Sequence, residues 1–167
     1  RELVLELQPP DARQALHARA AQALIDESPS LADGIRRISR HMQRAGALLD
    51  SARWRVRAAS IASESGATHQ ALEDFAQALE FAPDEALPEV LRCRGRLLID
   101  TGRLHAGRDD LERALSLTPE GDSLGQAAVH VGLSYLAYRT GAPEKMVEHA
   151  ERASRLSSTC DDIELRM

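Results

Sequence analysis

Three stretches of the chain share one arrangement: a glycine, a small residue five positions on, a bulky one nine on, alanine twelve on and a helix-ending residue seventeen on. Gly66, Ala71, Phe75, Ala78 and Pro83 form the first copy, and Gly102, Gly107, Leu111, Ala114 and Pro119 the second. A looser third copy is Gly141, Met146, Ala150, Ala153 and Ser158. The copies start 36 and 39 residues apart, a period that allows one helix-turn-helix per repeat. A hairpin of that size cannot bury its apolar face alone, so the spacing predicts hairpins stacked side by side in a solenoid.

The glycines and alanines have a packing reason. Two hairpins stack closely only where backbones approach at helix crossings, so small side chains stand there while a bulky neighbour fills the adjacent gap. Gly95 and Gly107 are the expected crossing points of the middle hairpin, since glycine within a helix costs about 1 kcal/mol relative to alanine and close packing must offset it. Composition agrees. At 167 residues with 43% hydrophobic content the chain can bury a continuous core, yet it has only five aromatic residues, so alanine and leucine must fill it.

Along the chain, Glu2 to Leu7 alternates apolar and polar residues as a strand does, and Pro9-Pro10-Asp11 reads as a stop followed by a helix N-cap. In the helix that follows, Ala12, Leu16, Ala20, Ala23 and Leu24 share one face, and Ser28-Pro29-Ser30 ends it. Another helix begins at Asp33 with Ile35, Ile38 and Met42 as its apolar stripe, closed by a left-handed Gly46. Further helices are expected over 48–64, then from a Thr68 cap to Ala82, and over about 86–100, 104–117, 124–139 and 143–156. The short links between them force antiparallel neighbours.

These positions resemble the tetratricopeptide repeat (TPR). Leu91, Gly95, Leu98, Gly107, Leu111, Ala114 and Pro119 fit its pattern of bulky and small positions, with Arg94 standing where the family usually has leucine. The earlier repeat keeps Ala59, Ala71, Phe75, Ala78 and Pro83; the last has His130, Ser134 and Ala137 and lacks the closing proline. The resemblance implies an all-α fold of antiparallel helical hairpins stacked as a TPR-like right-handed superhelical solenoid. Arg1-Glu2-Leu3-Val4, Leu7, Pro9-Pro10, Arg13, Leu16-His17, Ala20-Ala21 and Leu24 further resemble the segment after the winged-helix part of bacterial signal-transduction ATPases with numerous domains, including MalT-like and LuxR-type activators. His41, Ala45-Gly46, Ala52 and Ala58-Ala59 continue that similarity, which makes Arg1 to Leu7 a helix end rather than a strand. It implies an N-terminal helical module over 1–47 that links to an upstream domain, then repeats over about 48–85, 86–121 and 122–160 with a fresh helix from Asp161. A start at Arg1 rather than methionine fits a piece of a longer protein.

In the TPR family the first helices line a concave groove. That register places Arg53, Val56 and Arg57 there from the early repeat, Glu89, Arg92, Arg96 and Ile99 from the middle one, and Val131, Tyr135, Tyr138 and Arg139 from the last. Arg53, Arg57, Arg92, Arg96, Tyr135, Tyr138 and Arg139 are therefore the candidate binding residues. Arginine grips carboxylate or phosphate bidentately and tyrosine offers a flat face with a polar tip, chemistry suited to an acidic peptide or to a phosphorylated or carbohydrate effector. The competing reading pairs these arginines with Glu64, Glu89 and Asp100 and half-buries the tyrosines. A second basic cluster, Arg36, Arg37, Arg40, His41 and Arg44, could dock on a neighbouring domain's acidic surface or on nucleic acid, but reads as a solvated outer helix face, having no interleaved aromatics for base stacking.

Catalytic signatures are missing. No GxxxxGK[ST] loop, HExxH pair or GxSxG elbow occurs. His105 and Asp109, one turn apart, read as a first-turn helix interaction, and Cys93 and Cys160 have no metal or redox spacing. We therefore expect no cofactor, no metal and no enzymatic activity in this part of the chain. A net charge of -5 argues against direct nucleic-acid binding, and the absence of a signal peptide or an apolar run near 18 residues argues for a cytoplasmic protein without membrane association. The expected role is a protein-interaction or sensor scaffold in a larger bacterial transcriptional regulator whose ATPase lies elsewhere. Its expected partners are a protein or peptide, a small effector, and other domains of the parent chain. The alternative is a standalone TPR adaptor or chaperone-like protein with a peptide in its groove.

Overall fold

Four glycines set the connections. Gly46, Gly66, Gly102 and Gly141 have φ of 83°, 80°, 81° and 69°, a region glycine enters at little steric cost. After each, the next N–H reaches back five residues, Ala47 to Met42, Ala67 to Ala62, Arg103 to Leu98 and Ala142 to Ala137, at 2.8–3.0 Å. These bonds satisfy carbonyls that the ending helix leaves open and turn the chain back on itself.

The computed structural model of the chain describes residues 9–164. Among them are eight helices and no strand: α1 Pro10–Asp26, α2 Ala32–Arg44, α3 Leu48–Glu64, α4 Thr68–Phe81, α5 Leu87–Asp100, α6 Leu104–Leu117, α7 Ser123–Arg139 and α8 Pro143–Glu164. They fall into two compact units, Arg1–Ala86 with α1 to α4 and Leu87–Met167 with α5 to α8. The unit boundary thus lies between α4 and α5, and the helices before Leu48 share a unit with the first repeat. The strand and helix-end readings of Arg1 to Leu7 lie outside the described residues.

Alanine does most of the filling in the first unit. Ala52, Ala58, Ala59, Ala71 and Ala78 are fully buried, around Ile35, Ile38 and Phe75. Where α2 crosses α3, Ser39 and Ser51 are both inaccessible, and each hydroxyl donates to the other's backbone carbonyl, at 2.9 and 2.8 Å. In the second unit the expected crossing is present. A Cβ on Gly107 would lie 2.8 Å from the Gly95 carbonyl oxygen, and one on Gly95 would lie 3.0 Å from the Gly107 carbonyl oxygen. The α5 and α6 backbones therefore touch. Gly132 of α7 repeats the device, since a Cβ there would come within 2.8 Å of Leu111.

Several local expectations are corrected. Asp11 does not cap α1: Pro10 is its first residue, a position where a missing N–H costs nothing, and Asp11 stands in the first turn. Thr68 likewise is the first residue of α4, with Ala67 before it and no side-chain cap bond. Leu16 and Ala23 of α1 are exposed; Leu24 is buried as expected, and Ala21 rather than Leu16 or Ala23 joins it, on the face where His17 meets His41 of α2 at 3.0 Å. Finally, no break separates Ser158 from Asp161: α8 continues to Glu164, having neither glycine nor proline there to stop it.

Candidate functional site

Each repeat carries a polar clasp inside its hairpin, and the clasps decide which basic residues remain available. Asp74, eight residues after Gly66, is fully buried. Arg36 reaches it with Nε at 2.8–3.0 Å and Nη2 at 2.8 Å, and Arg55 with Nη1 at 3.1 Å. Asp110, eight residues after Gly102, accepts two bonds from Arg94 at 2.7 and 2.6 Å. Hydrogen bonding to these carboxylates raises the pKa of both Arg36 and Arg94. This accounts for the arginine at position 94: its guanidinium satisfies a carboxylate that the helix packing buries. It also corrects the reading of Arg36, which is a structural ion-pair residue with a side chain only 15% exposed; Arg37, Arg40 and Arg44 do face solvent.

The third clasp is different in kind. His149, eight residues after Gly141, meets His130 with the two Nδ1 atoms 3.1 Å apart and the rings stacked at 27°. Burial, and then the neighbouring His149 and Arg152, lower the pKa of His130. Burial is also the main cause lowering both His17 and His41.

With those groups set aside, four of the seven candidate residues converge in the second unit. The Arg96 guanidinium lies 3.7 Å over the Tyr135 ring and its Nε reaches Asp100 at 3.2 Å. Tyr135 donates its hydroxyl hydrogen to Asp100 at 2.7 Å and accepts from Arg139 at 3.0 Å, which raises the pKa of Arg139. Tyr138 stacks beside Tyr135 with ring centroids 6.4 Å apart and stays 66% exposed. Arg92 stands one turn before Arg96 on α5 and is half-buried. Arg53 and Arg57 belong to α3 of the first unit, where Arg53 lies 3.9 Å from Asp50 and Arg57 sits over Trp54 at 5.2 Å. Both are exposed.

The competing reading is thus realised in part. Asp100 ties Arg96, Tyr135 and Arg139 into one cluster, whereas Glu64 and Glu89 form no ion pair among the described residues. One carboxylate between two guanidiniums leaves the cluster cationic, and water-exposed pairs of this kind are weak enough to exchange for an incoming carboxylate. Beside the cluster runs an apolar component, of which the repeat register names Val131 and Tyr138 but not Leu124: Leu124, Val131 and Tyr138 are 61%, 55% and 66% exposed on α7. Their seven-residue spacing was the available signal, since such a period keeps side chains on nearly one helix face. An apolar stripe bordered by arginine and tyrosine has the make-up of a protein-binding surface.

Other chemistry finds no assembly. Among the described residues no cluster of three or more metal-binding side chains occurs, and no helix is long and apolar enough to cross a membrane. His105 and Asp109 share no hydrogen bond or ion pair. Burial raises the pKa of the Cys93 thiol.

Comparison with known proteins supports a TPR-like helical region. Tetratricopeptide repeat protein 36 of Mus musculus is 37% identical over 98 residues, which is 58% of this chain and 50% of that protein. The chain therefore spans about half the length of this relative. Among solved structures, the crystal structure of BtubC (BKLC) from P. vanneervenii superposes with a TM-score of 0.66 at 17% identity, over 92% of this chain and 66% of that one, a likeness of fold. No family model matches the sequence.

Proposed function

We propose that this chain is a non-catalytic protein-interaction and sensor scaffold that captures an acidic segment of a partner on the exposed α5 and α7 face. The observation that carries the reading is the union of Arg96, Tyr135 and Arg139 around one carboxylate with the apolar stripe of Leu124, Val131 and Tyr138. An acidic segment with an apolar residue nearby would exchange its carboxylate for that of Asp100 and cover the stripe. Burial of exposed leucine, valine and tyrosine surface, at about 25 cal/mol per Å² of apolar area, would supply most of the affinity, and the arginines would supply the charge preference.

The resemblance of the N-terminal module to regulators of the signal-transduction ATPase class supports a finer reading: a segment of a cytoplasmic transcriptional regulator in which partner or effector binding biases an ATPase elsewhere in the parent protein. A ligand does so only to the extent that it prefers one arrangement of the array over another.

The test is partner capture by the intact parent protein with and without Arg92→Glu and Arg96→Glu. Both side chains lie outside the buried clasps, so the double variant should melt like the wild type yet lose capture. Undiminished capture would remove the α5 and α7 face from consideration.

A further inference from the structure

A second site lies in the first unit, independent of the α5 and α7 face. Between α2, α3 and α4 is a cavity of about 350 Å³ lined by Asp33, Arg36, Arg37, Arg40, Arg55, Gln70, Asp74 and Gln77. Four guanidiniums face two carboxylates there, so a chain with a net charge of -5 concentrates an excess of two positive charges around one cavity. The clasp at Asp74 does not consume them. Asp74 takes its bonds from Arg36 and Arg55, Asp33 pairs only with Arg36, and Arg37 and Arg40 form no ion pair among the described residues.

Arg55 gives the second, independent observation. Its side chain is 6% exposed, and its buried Nε has no hydrogen-bond partner among the described residues. Buried donors are almost always paired, so an orphan on a charged side chain calls for an explanation. Here the orphan N–H belongs to a residue that lines the cationic cavity. Gln70 and Gln77 add amide donors at its edge. Asp74 meanwhile holds Arg36 and Arg55 in fixed positions, so their forks are ordered before any ligand arrives, which lowers the entropic cost of binding.

We propose that this cavity binds a phosphate monoester dianion. Guanidinium forks match phosphate oxygens in bidentate geometry, and a double negative charge cancels the excess of two, whereas a single carboxylate cancels only half. Arg36 and Arg55 form the floor, and Arg37 and Arg40 close over the ligand from the rim. The phosphate can come from a free metabolite or from a phosphorylated side chain, and the shared chemistry is the same.

The test is calorimetric titration of the full chain at pH 7.5 and low ionic strength with inorganic phosphate, phenyl phosphate and a phosphoserine peptide, with acetate and chloride as anion controls. The expected result is saturable one-site binding of the phosphates, weakened at least about tenfold in Arg37→Gln with Arg40→Gln, a pair of exposed changes that should leave the melting temperature unaltered. Binding of the monoesters should also weaken toward pH 5.5 as the dianion takes a proton, the second pKa of a phosphate monoester being about 6. Tighter binding of the peptide than of phenyl phosphate would mark a phosphorylated protein segment as the source, and the reverse a small metabolite. No saturable heat with any phosphate, acetate binding as tightly as phosphate, or an unchanged Kd in the double variant would overturn the assignment.

Discussion

The claim that stacking depends on backbone contact makes Gly107 the most informative single position. Alanine there would gain about 1 kcal/mol of helix propensity. Its Cβ, however, would lie 2.6 Å from Ile99 Cγ1 and 2.8 Å from the Gly95 carbonyl oxygen. Ile99 can give a little, but the carbonyl is part of the α5 backbone. Relief requires the two helices to part by about 0.6 Å, the shortfall from the 3.4 Å at which ordinary contact begins, and overpacking of this kind typically costs about 1–3 kcal/mol. Gly107→Ala should therefore range from neutral to about 2 kcal/mol less stable. Gly107→Leu adds three more carbons where no space exists, for a net loss of about 3 kcal/mol or more. In a chain of this length that is a fall of roughly 6–12 °C in melting temperature. Gly121→Ala is the control, because a Cβ there meets nothing within 4 Å. Thermal melts followed by circular dichroism decide the matter. A Gly107→Leu protein that melts with the wild type would refute the contact argument, as would a Gly107→Ala protein showing the whole propensity gain.

The clasps yield two further expectations. Asp110→Asn removes the carboxylate that accepts two bonds from Arg94 and leaves a half-buried cation beside a neutral amide, so urea unfolding should show a loss of about 3 kcal/mol; a loss under about 0.5 kcal/mol would mean the pair is ornamental. The histidine pairs introduce a pH dependence. His17, His41 and His130 are held below their ordinary pKa in the folded chain, so the unfolded chain binds more protons, and stability falls as pH drops through the unfolded value of about 6.5 toward the lowered native values, below which the loss is complete. Melting temperature should thus fall between pH 7.5 and 5.5, and His130→Arg with His149→Asp, which rebuilds the 19-residue spacing of Arg55 and Asp74, should reduce that fall; an undiminished fall would place the sensitivity elsewhere.

The repeat architecture was readable because its demands are made on the backbone. Only glycine turns cheaply at φ near 80°, as at Gly66 and Gly102, and only a very small residue tolerates the contact at Gly95 and Gly107. Those demands leave a fixed spacing in the sequence. The clasps were hidden because Arg36, Arg55, Asp74, Arg94 and Asp110 have the composition of a solvated helix face, and burial of a charge is visible only once its partner from another helix is in place. One regularity did point to them: Asp74, Asp110 and His149 each stand eight residues after a left-handed glycine. The face of α1 was misjudged for a related reason. Leu16 carries more apolar surface than Ala21, yet the small residue and His17 meet α2, and packing distance outweighs hydrophobicity there. At the candidate surface, Val131, the tyrosines and the arginines follow from the repeat register, while Leu124 looks like a core residue until its exposure is known.

Amide chemical shifts of the isotope-labelled chain, recorded while an acidic segment from a captured partner is added, test the scaffold reading most directly. The account predicts saturable shifts concentrated at Arg92, Arg96, Val131, Tyr135, Tyr138 and Arg139, with the side-chain signals of Arg96 leaving the Tyr135 ring-current position. Saturable binding that perturbs α6 and α8 while leaving those six residues unmoved would contradict it.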